Sequence, residues 1–175
     1  MFINLKQSLM LVAVATMLGS TTASADYMLR NRNSGLCATV TGQDTPIRQY
    51  ACNSARTDQR FDITGYVAAS NSHRIKSKLP GDLCLSIEQA SYYRGYKAIT
   101  WPCQYDVSNS TTSNQLHQLV PLADGFYKIA PTHQIFIGQD YAIDVDFAGT
   151  TEALSLIQWP WHGGPSQQWA LVYVP

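Results

Sequence analysis

Asn114-Gln115-Leu116-His117-Gln118-Leu119 reads, from its glutamine onward, as Gln, any residue, a ring, any residue, an aliphatic. The same order stands at Gln59-Arg60-Phe61-Asp62-Ile63 and again at Gln167-Gln168-Trp169-Ala170-Leu171. The three rings, at 61, 117 and 169, are 56 and 52 residues apart. A recurring period of this kind is the mark of a repeat architecture. Two more landmarks precede each copy. Tyr50-Ala51-Cys52 corresponds to Trp101-Pro102-Cys103 and to Trp159-Pro160-Trp161. Further upstream, Leu36-Cys37-Ala38-Thr39-Val40 corresponds to Leu83-Cys84-Leu85-Ser86-Ile87 and to Ala142-Ile143-Asp144-Val145.

Between the landmarks lie short runs rich in Val, Ile, Thr, Tyr and Phe, bounded by Gly, Asn, Asp and Pro. These predict strands over 27–30, 36–40, 47–50 and 61–64, then 74–77, 83–87, 98–101 and 118–122, then 126–129, 142–145, 154–158 and 170–173. Four strands per repeat and about twelve in all specify an all-β fold. No long stretch has helical periodicity.

The chain of 175 residues is 45% apolar and 14% charged, with 12 basic and 12 acidic residues. That balance excludes a nucleic-acid binder acting through bulk positive charge and excludes disorder. Residues 1–25 read as a secretory signal peptide. Lys6 precedes an uncharged apolar run over Leu9–Leu18, and Ala23-Ser24-Ala25 supplies the small residues of a cleavage site. The apolar run is too short to span a bilayer. The mature domain is expected over 26–175, secreted or periplasmic, with a formal charge of −1 once Lys6 is removed.

Export places Cys37, Cys52, Cys84 and Cys103 in an oxidising compartment. Their spacing favours Cys37 with Cys52 and Cys84 with Cys103. The third repeat has Ala142 and Trp161 at the two corresponding places, a joint loss that supports this pairing. Zinc is not expected, because no Cys-x-x-Cys or closely spaced His pair occurs. Asp140, Asp144 and Asp146 lack the Gly and closing Glu of a calcium loop. No cofactor is expected. No Gly-x-Ser-x-Gly, His-Glu-x-x-His or phosphate loop is present, and no catalytic residue is assigned.

The opening Asn31-Arg32-Asn33-Ser34-Gly35-Leu36-Cys37, the Trp101-Pro102-Cys103 step and the three Gln-x-ring closers resemble the ricin-B-type lectin domains. The resemblance covers about residues 27–174. It implies a β-trefoil, three four-stranded lobes about a pseudo-threefold axis, here at about 27–70, 71–124 and 125–175. Phe61, His117 and Trp169 would pack in the core, His117 as a neutral imidazole with a satisfied hydrogen bond, while the closing glutamines bond backbone groups that a turn leaves unpaired.

A sugar site of this family sets an acidic residue two after the first Cys position, an aromatic platform before the second, and an Asn beside the closing Gln. These positions hold Thr39, Tyr50 and Asp58 in the first lobe, and Ser86, Trp101 and Asn114 in the second. The third lobe has Asp144, Trp159 and Ser166. The third lobe is therefore the first candidate, with Asp144, Trp159, Ser166 and Gln167. The second follows, with Trp101, Asn114 and Gln115.

Two aromatic stretches stand apart from this pattern. They are Tyr92-Tyr93-Arg94-Gly95-Tyr96, a weakly basic loop, and Trp159 to Pro165, which includes Trp161 and His162 and reads either as the wall of a sugar pocket or as a docking patch. Tyr92, Tyr93, Tyr96 and Trp161 are candidates for docking a protein partner. The resemblance implies a secreted lectin with galactose-type preference and no enzymatic activity. The alternative is the cell-binding subunit of a multi-subunit toxin whose sugar sites have eroded.

Overall fold

The computed structural model describes residues 25–105 and 114–175; the expected signal peptide, up to Ser24, lies outside them. Twelve strands follow in order. The first lobe has β1 (Asp26–Asn31), β2 (Cys37–Thr39), β3 (Arg48–Tyr50) and β4 (Phe61–Val67). The second has β5 (Ser72–Ser77), β6 (Leu83–Ile87), β7 (Ala98–Pro102) and β8 (His117–Pro121). The third has β9 (Phe126–Pro131), β10 (Tyr141–Val145), β11 (Leu156–Pro160) and β12 (Trp169–Val174).

The outer strands of the lobes close a six-stranded barrel. Its antiparallel pairs run β1–β12, β12–β9, β9–β8, β8–β5, β5–β4 and β4–β1. Closure removes the free edges that an open sheet would present. The inner strands form three hairpins, β2–β3, β6–β7 and β10–β11. This is the β-trefoil, and every strand falls where the sequence pattern placed one.

Two differences from the pattern have local causes. β2 and β3 are shorter than expected. The Leu36 carbonyl accepts from Asn31 N–H, and Ile47 N–H donates to the Ala98 carbonyl of the next lobe, so neither residue is free to extend its hairpin. A five-residue helix, α1 (Thr132–Phe136), follows β9. It is too short to produce a periodic signal.

One continuous apolar core fills the barrel and the space beneath the hairpins. Leu29, Ile47, Phe61, Ile75, Leu85, Ile87, Ile129, Ile143, Leu156 and Trp169 are fully buried in it. Phe61, His117 and Trp169 occupy matching places at the start of the strand that follows each closing Gln. Trp169 satisfies its indole N–H on the Ile143 carbonyl at 2.9 Å. His117 has no comparable partner. Neither ring nitrogen meets hydrogen-bonding geometry with a described residue. Burial, with the like charge of His133 adding to it, lowers the His117 pKa to about 3. The imidazole is therefore neutral at physiological pH, as a sealed core position requires.

Each closing Gln straps the turn after its hairpin. Gln59 accepts from Asn53 N–H at 2.7 Å and donates to the Ala51 carbonyl at 2.9 Å. Gln115 accepts from Gln104 N–H at 2.9 Å and donates to the Pro102 carbonyl at 3.0 Å. Gln167 accepts from His162 N–H at 2.9 Å and donates to the Pro160 carbonyl at 2.9 Å. One side chain thus satisfies two backbone groups that no strand pairs. Two disulfides, Cys37–Cys52 and Cys84–Cys103, span 15 and 19 residues and fasten the first two hairpins.

A second device joins the lobes. The residue before each platform aromatic holds the hairpin loop of a neighbouring lobe. Gln49 Nε2 donates to the carbonyls of Gly149 and Thr151, at 3.1 and 2.7 Å. Gln158 Nε2 donates to those of Ser91 and Tyr93, both at 2.7 Å. The Thr100 hydroxyl donates to Gly42. The main chains repeat the order. Gln49, Thr100 and Gln158 accept from the N–H groups of Ala153, Asp44 and Gly95. The first lobe therefore clasps the third, the third clasps the second, and the second clasps the first.

Candidate functional site

Hairpin register decides which side chains share a face. In β10–β11, Asp144 lies opposite Ile157, and Ala142 lies opposite Trp159. Residues two apart point the same way, so Asp144, Ile157 and Trp159 converge on one side. They line a cleft of about 440 Å³ together with Asp146, Phe147 and His162. Ligand clefts commonly fall in this range of size.

Asp144 is only 4% exposed. Its Oδ2 is 3.5 Å from His162 Nε2, and the His162 ring is half exposed. Burial raises the Asp144 pKa above its ordinary value, against the opposing pull of the Ser166 hydroxyl and His162. The carboxylate is held in a partly dry place where a ligand hydroxyl can replace lost water. Ser166 and Gln167 are both buried, and both amide ends of Gln167 are committed to its strap.

The lip of the cleft is a tight turn, Asp146–Ala148. Phe147 and Ala148 have φ of 57° and 50°, a left-handed backbone that costs side-chain-bearing residues about 1–2 kcal/mol each. The turn projects the Phe147 ring into solvent at 91% exposure. The matching turn in the second lobe repeats this conformation at Gln89 and Ala90, with φ of 55° and 49°.

The second lobe forms a related cleft of about 460 Å³, lined by Ser86, Ile99, Trp101, Asn114 and Gln115 among others. Trp101 is 38% exposed. Asn114 Nδ2 donates to the Ser86 hydroxyl at 2.9 Å and to the Ile87 carbonyl at 3.0 Å. The amide is in position, but its partner is a hydroxyl where the third lobe has a carboxylate. In the first lobe, Arg48 stands where Ile99 and Ile157 stand in the others, opposite Thr39. The Thr39 hydroxyl accepts from Gln59, and Asp58 is paired with Arg56 at 2.6 Å.

The aromatic stretches separate. Tyr92 and Tyr93 are exposed, whereas Tyr96 packs against the main core. Trp161 is half-buried with Lys128 Nζ 5.0 Å from its ring centroid. The Tyr92–Tyr96 loop and Trp159, far apart in sequence, meet: the Arg94 guanidinium lies 5.2 Å from the Trp159 ring centroid. Gly95 takes φ of 84° there, and a Cβ on it would stand 3.7 Å from the indole.

The structure places Asp144 and Trp159 in one cleft with His162, which the sequence offered only as part of the Trp159–Pro165 stretch, and with Phe147, which the sequence did not single out. His162 directly follows the landmark Trp159-Pro160-Trp161 step and is aimed by the Gln167 strap on its own N–H. Phe147 carries no signal in sequence, because only its turn conformation exposes it. No group of three or more His, Cys, Asp or Glu suited to a metal occurs among the described residues.

Residues 25–169 match the ricin-type β-trefoil lectin domain. No curated protein matches the chain in sequence. Among solved structures, the designed threefold-symmetric protein ThreeFoil superposes with a TM-score of 0.72 at 27% identity, over 84% of this chain and 97% of its own. A Macrolepiota procera ricin B-like lectin, solved with lactose, has a TM-score of 0.65 at 15% identity, over 87% and 97%. The cytolethal distending toxin of Actinobacillus actinomycetemcomitans has a TM-score of 0.63 at 16% identity, over 84% and 90%. At these identities the last two share the fold.

Proposed function

Because the chain belongs to the ricin-type β-trefoil lectin family, we propose that it recognises galactose-type glycans through the third-lobe cleft and performs no chemistry on them. The family supports carbohydrate binding in general. The observation that carries the finer reading is the convergence of Asp144, Trp159 and His162 on one cleft. Asp144 accepts from vicinal hydroxyls, and His162 adds a second polar contact at the same ligand edge. Trp159 covers the apolar C–H face of the sugar ring. The second lobe, with Ser86 in place of the acid, is a weaker site. A shallow single site binds weakly, and display of several copies raises the apparent affinity.

The two disulfides and the family accord with an exported protein, secreted or periplasmic. One observation favours a second reading, that of a toxin subunit docking a protein partner. Tyr93 is 76% exposed beside the half-exposed Tyr92. Tyr96 and Trp161 are already occupied by the fold and add little to such a surface.

A glycan array probed with the multivalent, oxidised mature protein tests the proposal. Selective binding to terminal galactose or N-acetylgalactosamine that Trp159→Ala abolishes is expected. Silence of a folded protein across the array overturns the lectin reading and favours the docking one.

A further inference from the structure

Trp159 lines the third-lobe cleft, and Pro160, next to it on β11, lines a second groove. This groove, of about 490 Å³, is lined by Tyr92, Tyr93, Arg94, Gln139, Tyr141 and Pro160. Three of these residues come from the second lobe and three from the third, so the groove exists only where the lobes meet. Arg94 stands at the shared rim, over the Trp159 ring. It is exposed and belongs to none of the ion pairs among the described residues. Asp140, between Gln139 and Tyr141, is already held by Lys128.

A guanidinium stacked on an indole keeps its edge N–H groups directed outward, in a fork that matches a planar or tetrahedral anion. The loop that carries Arg94 is fixed in advance. The Gln158 amide holds the Ser91 and Tyr93 carbonyls, and Gly95 N–H donates to the Gln158 carbonyl at 2.9 Å. Little ordering is left for a ligand to impose. The phenols of Tyr92, Tyr93 and Tyr141 and the Gln139 amide supply further polar contacts, and the tyrosine rings supply apolar faces.

We propose that this interlobe groove is a subsite for an acidic sugar unit, bearing a carboxylate or a sulfate ester, that extends from a glycan seated in the third-lobe cleft. The proposal rests on the reading of that cleft as the sugar site. The anion pairs with Arg94, and the sugar that bears it lies along Tyr92, Tyr93 and Tyr141.

Calorimetric titration of the whole protein with lactose, 3′-sialyllactose and 3′-sulfated lactose tests it. At least one acidic ligand is expected to bind about tenfold more tightly than lactose, the size of one charge-assisted contact. Preference for the sialylated ligand assigns the groove to a carboxylate, and preference for the sulfated one to a sulfate ester. Arg94→Gln should bring the acidic-to-neutral ratio to about one. Lys97→Gln, an exposed cation on the same stretch, should keep the ratio. A ratio of one in the unaltered protein, with lactose still bound, overturns the groove and leaves the lectin reading standing. So does a ratio that Arg94→Gln fails to change. No binding of any of the three overturns both.

Discussion

His117 gives this fold a dependence on pH that its two sister positions, Phe61 and Trp169, do not. Its folded-state pKa is about 3, against about 6.5 in an unfolded chain. Below pH 6.5 the unfolded chain takes up a proton that the folded chain refuses. Stability is therefore full above that pH and falls as pH drops, until the folded value is reached. Between pH 8 and pH 5 the loss from this one group is about 2 kcal/mol. His133, its pKa also lowered by burial, adds in the same direction. Asp144, raised by burial, opposes it. The perturbation is His117→Phe, the ring already used at the matching place in the first lobe. Urea unfolding followed by tryptophan fluorescence at pH 8 and pH 5 gives the change in stability for each protein. His133 and Asp144 are common to both and cancel in the comparison. The variant should lose about 2 kcal/mol less than the natural protein over that interval. Equal losses would mean that His117 takes a proton without leaving the core, and would refute the sealed-core argument.

Three further predictions concern the clefts and the clasp. Asp144→Asn should abolish glycan binding in the array and yet raise the urea midpoint of the unliganded protein, because it removes a desolvated charge. Ser86→Asp should supply the acid missing beside Asn114 and tighten sugar binding in the second lobe, read by calorimetry in an Asp144→Asn background. Gln158→Ala frees the Tyr93 carbonyl, leaves the Ser91 carbonyl to Gln134 and His133, and should destabilise the protein by about 1–3 kcal/mol. It should also speed amide exchange at Gly95, read by mass spectrometry or NMR.

The strands were legible because each lobe repeats the same three landmarks, and three weak signals in one order reinforce one another. The closing glutamines were legible for a chemical reason: a polar side chain beside a core ring has to satisfy backbone. Asp144 and Trp159 were paired by the resemblance to the lectin domains, whose acidic and aromatic positions they match, and the local register of the β10–β11 hairpin then sets them on one side. His162 was read only as part of a possible pocket wall, because nothing in sequence says which of the residues after β11 faces the carboxylate. The contact of Arg94 with Trp159 escaped for a different reason. It crosses from one lobe to another, and spacing within a lobe carries no information about it. Phe147 escaped because its exposure comes from a left-handed turn that the residues themselves do not favour.

The clasp divides the chain into what it can let drift and what it must keep. The three clasps of Gln49, Gln158 and Thr100 follow one order around the axis, from first lobe to third to second and back to first, so each lobe both gives and receives one. On the proposed reading, a change at the positions of Thr39, Ser86 or Asp144 alters a cleft and leaves this circuit untouched. A mutation at Gln49, Thr100 or Gln158 loosens the loop of a neighbour whose own sequence is intact. Decay of recognition in one lobe therefore stays local, while decay of a clasp is inherited by the next lobe round. A trefoil built this way can shed binding sites one at a time and still keep the last of them in working shape.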